Sequence, residues 1–197
     1  MAAYRLKQQL VNNMSEQTSQ SERDEFREYC QRWLEENRPP PTKIPLPQNA
    51  YEVTFHDHRT YLCDWQAKCY EAQLIGTDVP QDYGGHGHTE FQAIASAEVR
   101  KANVPYFINW IGLGMTAPTL LIHGTEEQKK RFLPPIFSAE EIWCQGFSEP
   151  GAGSDLVSLQ TSAIKDGDNW IINGSKVWTS LGAISSWMLL LARNDKD

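Results

Sequence analysis

Up to about residue 139 the apolar residues of this chain recur at helical spacing, and from Trp143 onward they fall into short runs cut by glycine-containing turns. A period of about 3.6 residues and a period of about 2 bury different faces, so one stretch cannot serve both. The order, helices first and strands after, predicts an α+β chain. It also argues against the alternation of strand and helix that a doubly wound sheet needs.

In the helical part, Phe26, Tyr29, Cys30, Trp33 and Leu34 paint one stripe between Ser21 and Glu36. Ser21 with Asp24 reads as the cap of that helix, and Pro39-Pro40-Pro41 as its stop. The Pro-rich stretch Arg38–Gln48 reads as an extended connector. A second helix places His58, Leu62, Trp65, Cys69 and Ala72 on one face, which makes His58 a helix-face histidine and not a ligand. A third runs from about Glu90 to Lys101, with Phe91, Ile94, Ala95 and Val99 together. Phe107 to His123 is apolar nearly all round and predicts a buried helix, with Gly112 and Gly114 permitting close packing. Trp110 and Met115 then belong to core. Thr125 and Gln128 form a capping box for one more helix, which Pro134-Pro135 should end.

In the strand part, Asp166-Gly167 and Asn173-Gly174 predict two hairpin turns within a small β barrel or sandwich. The run Gly146–Asp155 carries two hydroxyls, two carboxylates and three glycines in ten residues. Backbone N–H groups at glycine approach a ligand closely and the hydroxyls add donors, which suits a diphosphate or a carbonyl; the same residue types also build an ordinary turn. Glu149 and Asp155 read as acceptors for backbone N–H groups that hold this turn, not as an acid/base pair. No Gly-x-Gly-x-x-Gly follows a strand and opens a helix, so a Rossmann site has no support.

The stretch Glu141–Ala192 holds Ile142-Trp143-Cys144-Gln145 leading into Gly146–Asp155, then Thr161-Ser162-Ala163, Asp166-Gly167-Asp168, Trp170-Ile171-Ile172-Asn173-Gly174 and Lys176-Val177-Trp178-Thr179-Ser180. Upstream stand Val79-Pro80-Gln81-Asp82-Tyr83-Gly84-Gly85 and the run Gly114–Lys129. In this order these motifs resemble the acyl-CoA dehydrogenase family. The resemblance implies a flexible tail over 1–20, an N-terminal all-α helical domain over 21–139 and the start of a β-barrel-like middle domain over 140–197. The C-terminal helical bundle of the family is absent from these residues, so the chain reads as a fragment or as a truncated subunit completed by another chain.

The resemblance also implies roles. Gln145, Gly146, Phe147, Ser148, Gly153 and Ser154 would line FAD, with Phe147 and Ser148 near the pyrimidine side of the ring and Ser154 reaching the acyl-CoA as well. Trp178, Thr179 and Ser180 would form the second flavin segment, the indole against the ring system and the Ser180 hydroxyl toward N5. Many members carry threonine at Ser180, and either residue offers the same O–H donor. For Trp178 the plain alternative is a core tryptophan, and for Ser180 a turn hydroxyl. The implied reaction is α,β-dehydrogenation of an acyl-CoA to a trans-2-enoyl-CoA, with electron-transfer flavoprotein as acceptor. No catalytic residue is assigned here, because the family's base lies in the missing bundle. An acyl-CoA oxidase, a flavin monooxygenase, and a non-catalytic assembly subunit of a heteromeric dehydrogenase are the competing readings.

Composition narrows the partners. With 25 acidic against 18 basic side chains the net charge is −7, which argues against nucleic acid and requires a local patch for an anionic acyl-CoA. Cys30, Cys63, Cys69 and Cys144 lack the close paired spacing of a zinc or redox site and read as buried reduced thiols. No run approaches the ~18 apolar residues of a membrane span. Arg5 and Lys7 ahead of the first acid read as part of a polar tail rather than a transit peptide, and the expected setting is cytoplasmic, with the protein a homo- or hetero-oligomer.

Overall fold

The computed structural model describes residues 19–88 and 90–194. The expected tail, with Arg5 and Lys7, lies outside the described residues up to Thr18. The chain divides into two compact units, Met1–Pro40 with Cys69–Pro105, and Pro41–Lys68 with Tyr106–Asp197.

In the first unit, helix α1 (Gln20–Glu36) packs on α3 (Phe91–Lys101). The cap of α1 is Ser19, not Ser21: Ser19 Oγ accepts from Glu22 N at 3.2 Å, and the Glu22 carboxylate accepts from Ser19 N at 2.8 Å. Ser21 lies inside the helix and donates to Glu25 instead. Only the earlier serine has a glutamate three residues on to close the reciprocal box. Cys30, Leu34 and Ala95 are buried, and the Phe26 and Phe91 rings stack 4.3 Å apart. Glu98 is buried as well, where Lys101 Nζ at 2.8 Å and Gln31 Nε2 at 3.1 Å satisfy it. Gly85 has no substitute at its position, because a Cβ would fall 2.0 Å from Val79 O.

Helix α2 (His56–Glu71) contributes Cys69–Glu71 to the first unit and the rest to the second. Among the latter, Leu62 and Trp65 are buried. His58 is buried too and sits 2.9 Å from Ile44 O, a structural histidine as expected.

The remaining elements of the second unit are a π-turn over Gly112–Thr116, α4 (Ala117–His123), α5 (Glu126–Phe137), and strands β1 (Trp143–Gly146), β2 (Ser162–Asp166), β3 (Asn169–Asn173) and β4 (Trp187–Leu190). The apolar run from Phe107 does not form an all-round buried helix: Ile111, Gly112 and Thr116 are buried while Trp110 and Ile122 are exposed. Of its two glycines only Gly112 is sterically required, since its Cβ would meet Asn109 Oδ1 at 2.5 Å; Gly114 faces open space. Helix α5 carries the expected capping box, Gln128 N to Thr125 Oγ1 at 3.3 Å and Thr125 N to Gln128 Oε1 at 2.9 Å. It runs through Pro134-Pro135 to Phe137, contrary to the sequence expectation. Burial of Leu133, Ile136 and Phe137 outweighs the two intrahelical N–H bonds the prolines cannot make.

A buried amide pair joins these helices to β1. Gln66 donates to Ile136 O and Phe137 O, each at 3.1 Å, and accepts from Asn109 N at 3.0 Å. Asn109 donates to Ile136 O and Glu141 O and accepts from Trp143 N, each at 3.0 Å.

The strands form two separate two-stranded sheets, and the described residues close no barrel. β2 and β3 make the expected antiparallel hairpin with Asp166 opposite Asn169, and Gly167 adopts φ 59° in the turn. Asn173-Gly174 makes no second hairpin; its next strand, β4, pairs in parallel with β1, Trp143 opposite Trp187 and Gly146 opposite Leu190. The need for glycine at position 174 comes from crowding, because a Cβ would fall 2.3 Å from Thr161 Oγ1. No helix among the described residues is long and apolar enough to cross a membrane.

Candidate functional site

Two segments far apart in sequence meet in the second unit. The first leaves β1 at Gly146, whose missing side chain matters: a Cβ there would sit 2.4 Å from Met188 Sδ on the paired strand β4. The second is Lys176–Ser180. Val177 N donates to Ser148 O at 2.9 Å and Lys176 Nζ donates to Phe147 O at 2.9 Å, so the segments holding Phe147-Ser148 and Trp178-Thr179-Ser180 are joined directly.

Glu149 anchors the junction. Its buried carboxylate accepts from Gln160 N at 2.6 Å, Thr161 N at 2.8 Å and Lys176 Nζ at 2.8 Å. The Lys176 hydrogen bond first, then those from Thr161 and Gln160, hold its pKa down at about 2. A carboxylate so held neither accepts nor delivers a proton near neutral pH, which matches its reading as a brace. The chain then reverses over Pro150-Gly151, with Glu149 N to Ala152 O at 2.7 Å and Ala152 N to Glu149 O at 3.1 Å. Asp155 contributes through its backbone, Ser158 Oγ donating to Asp155 O at 2.8 Å.

The glycines of this loop behave differently from the sequence expectation. Gly151 and Gly153 have no φ in the left-handed region, and a Cβ on either would touch nothing within 4 Å. Within this chain neither backbone strain nor crowding calls for glycine at either position, and the absent side chains leave the loop backbone open for close approach.

The sequence-derived site residues are placed as follows. Gln145 is half-buried on β1, and Gly146 is buried. Phe147, Ser148, Thr179 and Ser180 are half-buried, while Gly153 and Ser154 are exposed. The side chains of Gln145, Ser148, Ser154, Thr179 and Ser180 make no hydrogen bond among the described residues. Trp178 is 89% exposed at φ 55°, so its indole is not a core residue. A bulky residue in the left-handed region carries strain of about 1–2 kcal/mol, a pattern that concentrates at functional sites. The loop backbone at Gly151 and Gly153, the free hydroxyls and the outward indole fit a flat cofactor with polar edges. Sequence reasoning missed the bracing lysine. Its signal was present in the opposite charges Glu149 and Lys176, one beside each segment.

At the start of β1 and β4, Arg131 forms a bidentate pair with Glu141, at 3.0 and 2.7 Å, and Trp187 Nε1 donates to the same carboxylate at 2.8 Å. Phe132 meets Trp143 and Trp187 edge-on at 5.5 and 5.2 Å. This cluster holds β4 and β1 against α5, and through them the start of the first segment.

Both parts of the chain resemble known proteins. The family model for the acyl-CoA dehydrogenase N-terminal domain matches residues 20–140, and that for the acyl-CoA dehydrogenase middle domain matches residues 144–197. Acyl-CoA dehydrogenase IpdE1 of Mycobacterium tuberculosis is 39% identical over 178 residues, covering 88% of this chain and 45% of that protein. The solved ChsE4–ChsE5 complex from Mycobacterium tuberculosis is 28% identical with a TM-score of 0.67, covering 92% of this chain and 44% of the matched one. An acyl-CoA dehydrogenase from Geobacillus kaustophilus is 26% identical with a TM-score of 0.63, covering 92% of this chain and 45% of the other. The chain thus spans about half the length of the relatives it matches. With both domain models in sequence order over nearly all of the described residues, the chain belongs to the acyl-CoA dehydrogenase family.

Proposed function

We propose that this chain supplies the flavin-facing half of an enzyme that converts an acyl-CoA to a trans-2-enoyl-CoA. The observation that carries the reading is the direct junction of Phe147-Ser148 with Lys176–Ser180, which brings the hydroxyl-bearing residues of both segments onto one joined backbone while the Ser148, Thr179 and Ser180 side chains make no hydrogen bond among the described residues. FAD is the cofactor of the family, and when bound it supplies an acceptor for the β hydrogen as hydride. Ser148 and Ser180 would offer O–H donors to the polar edges of the ring, and aligned donors favour the charge that develops there. Trp178 would cover one face and exclude water, and Ser154 would hold the acyl-CoA.

Removal of the α proton needs a base of raised pKa. Glu149 lacks that property, since its partners lower its pKa to about 2. By resemblance to the family, the base is assigned to a part of the enzyme outside these residues, with the division into helical and β domains falling near residue 140. Electron-transfer flavoprotein is proposed as the electron acceptor, within a homo- or hetero-oligomer in the cytoplasm. The similarity to ChsE4–ChsE5, a complex of two differently named chains, supports assembly with a second chain.

The test has two arms. Titrating FAD into the chain should quench flavin fluorescence, and Trp178→Ala or Ser180→Ala should weaken binding roughly tenfold or less, the loss of one stacking or hydrogen-bond contact. With FAD present, the chain alone should reduce no dye when given an acyl-CoA. Turnover by the isolated chain would overturn the assignment of the base; flavin affinity indifferent to both variants would overturn the site.

A further inference from the structure

The hairpin of β2 and β3 has one edge covered and one open. On the covered side, β2 runs beside the chain that follows β4: Ala163 N donates to Arg193 O at 2.7 Å, and Arg193 N donates to Thr161 O at 2.8 Å. Ala163 N–H therefore points away from β3, and in an antiparallel ladder the residue opposite it, Ile172, turns its own N–H and C=O away from β2. By alternation, those of Trp170 point the same way. Among the described residues no strand lies on that side, and no hydrogen bond reaches these outward backbone groups.

An open strand edge is a template for another strand, and natural edges carry charge, proline or a bulge to prevent it. β3 reads Asn169-Trp170-Ile171-Ile172-Asn173, with no charge and no proline, and its register with β2 runs without a bulge. Trp170, Ile171 and Ile172 are all exposed, as is Ile164, which lies opposite Ile171 on β2.

The five residues are also self-complementary. Laid antiparallel on its own copy about Ile171, the strand sets Asn169 against Asn173, Trp170 against Ile172 and Ile171 against Ile171. Because Trp170 and Ile172 are the residues whose backbone faces outward, the same register pairs every outward N–H with an outward C=O. On one face Ile164, Ile171 and their copies then form a row across the strands. On the other, each Trp170 meets an Ile172, an aromatic and β-branched pair of the kind that stabilises sheets.

We propose that β3 pairs with β3 of a second copy of this chain, antiparallel and centred on Ile171, to make a closed dimer. The two-fold axis uses up the open edge of both copies, and the far edge of β2 is already occupied at Arg193, so addition stops at two. Five residues a side are fewer than the about 20–30 of a standard interface, which makes the dimer weak and concentration-dependent. The inference gives a surface to the homo-oligomer proposed above and rests on that part of the reading; it uses neither FAD nor an acyl-CoA.

Sedimentation of the whole chain over a concentration series, with amide hydrogen exchange at both ends of the series, tests it. The average mass should rise from one chain toward two and no further. On dimerisation the Trp170 and Ile172 amides should slow roughly fivefold or more, the worth of about one hydrogen bond, while the Ile171 amide, which faces β2, should change least. Ile171→Lys should weaken association roughly tenfold or more, since an apolar contact is lost and like charges meet on the axis. Ile171→Glu should do the same, and mixing the two variants should restore a dimer in which opposite charges face each other. Exchange in the unsubstituted chain needs no variant, so a substitution that fails to fold leaves the test intact. A chain that stays monomeric at every concentration overturns the proposal, as do growth past two copies, a dimer whose Trp170 and Ile172 amides stay fast, and one indifferent to Ile171→Lys. Slowing of those amides only when a different chain is added assigns the edge to that chain and overturns the homodimer. FAD titration of the same samples reads the flavin site separately: FAD binding by a chain that never dimerises removes this inference and leaves the flavin reading standing.

Discussion

Glu149 shows how much one side chain is asked to hold. Its carboxylate ties the first segment to Gln160, Thr161 and Lys176, three groups from the chain that returns to it. Its pKa is depressed from the ordinary 4.5 to about 2 in the folded chain. A depressed pKa contributes stability that is fully present above the unfolded value and is lost as pH falls through the folded one. The junction should therefore weaken between about pH 4.5 and about pH 2. Urea unfolding across that window should show the midpoint falling with pH. Glu149→Gln should lower the midpoint at neutral pH and flatten the dependence; an unchanged slope would mean that other carboxylates carry the effect. The bracing role of Glu149 was legible from a carboxylate flanking a tight turn. Its partner showed in the sequence only as an opposite charge beside the second segment, and that Lys176, 27 positions away, is the one that pairs with it was decided by the tertiary path.

Among the elements, those governed by neighbours in sequence were the ones sequence reasoning placed well. The Thr125–Gln128 box and the Asp166–Asn169 hairpin both close within a few residues, so local chemistry suffices. The cap of α1 was misplaced by two positions because Ser19 and Ser21 both precede an acid at cap spacing, and only side-chain geometry distinguishes them. Pro134-Pro135 misled for another reason: a local rule met an apolar face already committed to the interior. The pairing of β1 with β4 had no local signal, because parallel partners share no turn. The start of β1 is tied to the helices by the buried amides, through Trp143 N to Asn109 Oδ1. Asn109→Leu should leave Trp143 N–H and Glu141 C=O without their partner and destabilise the chain by about 3 kcal/mol, at about 1–3 kcal/mol for each buried group. Because Trp143 begins β1, FAD affinity should fall in the same variant at temperatures where it remains folded. A loss of stability without a loss of FAD affinity would show that β1 needs no such anchor.

For the whole molecule, the cysteines report on packing: Cys30, Cys69 and Cys144 are buried as expected, whereas Cys63 is only half-buried. Burial pushes the Cys30 thiol up to about 12, with the nearby Glu98 charge adding to it, and burial likewise raises Cys63 and Cys69. Since the thiolate is the reactive form, a thiol reagent at mildly alkaline pH should label the folded chain far more slowly than the chain in urea, where four thiols titrate. Rapid labelling of all four in the native state would contradict the burial described. By itself, the sequence determined the family, the order of helices before strands, the Thr125–Gln128 cap and the Asp166–Asn169 hairpin, because each rests on residues a few positions apart or on motifs read in order. The tertiary structure alone decided that Gly146 must yield to Met188, that Ser148 and Val177 are hydrogen-bonded, and that the Trp178 indole faces outward. Those outcomes depend on which distant backbone lies alongside, and side-chain periodicity carries no record of that.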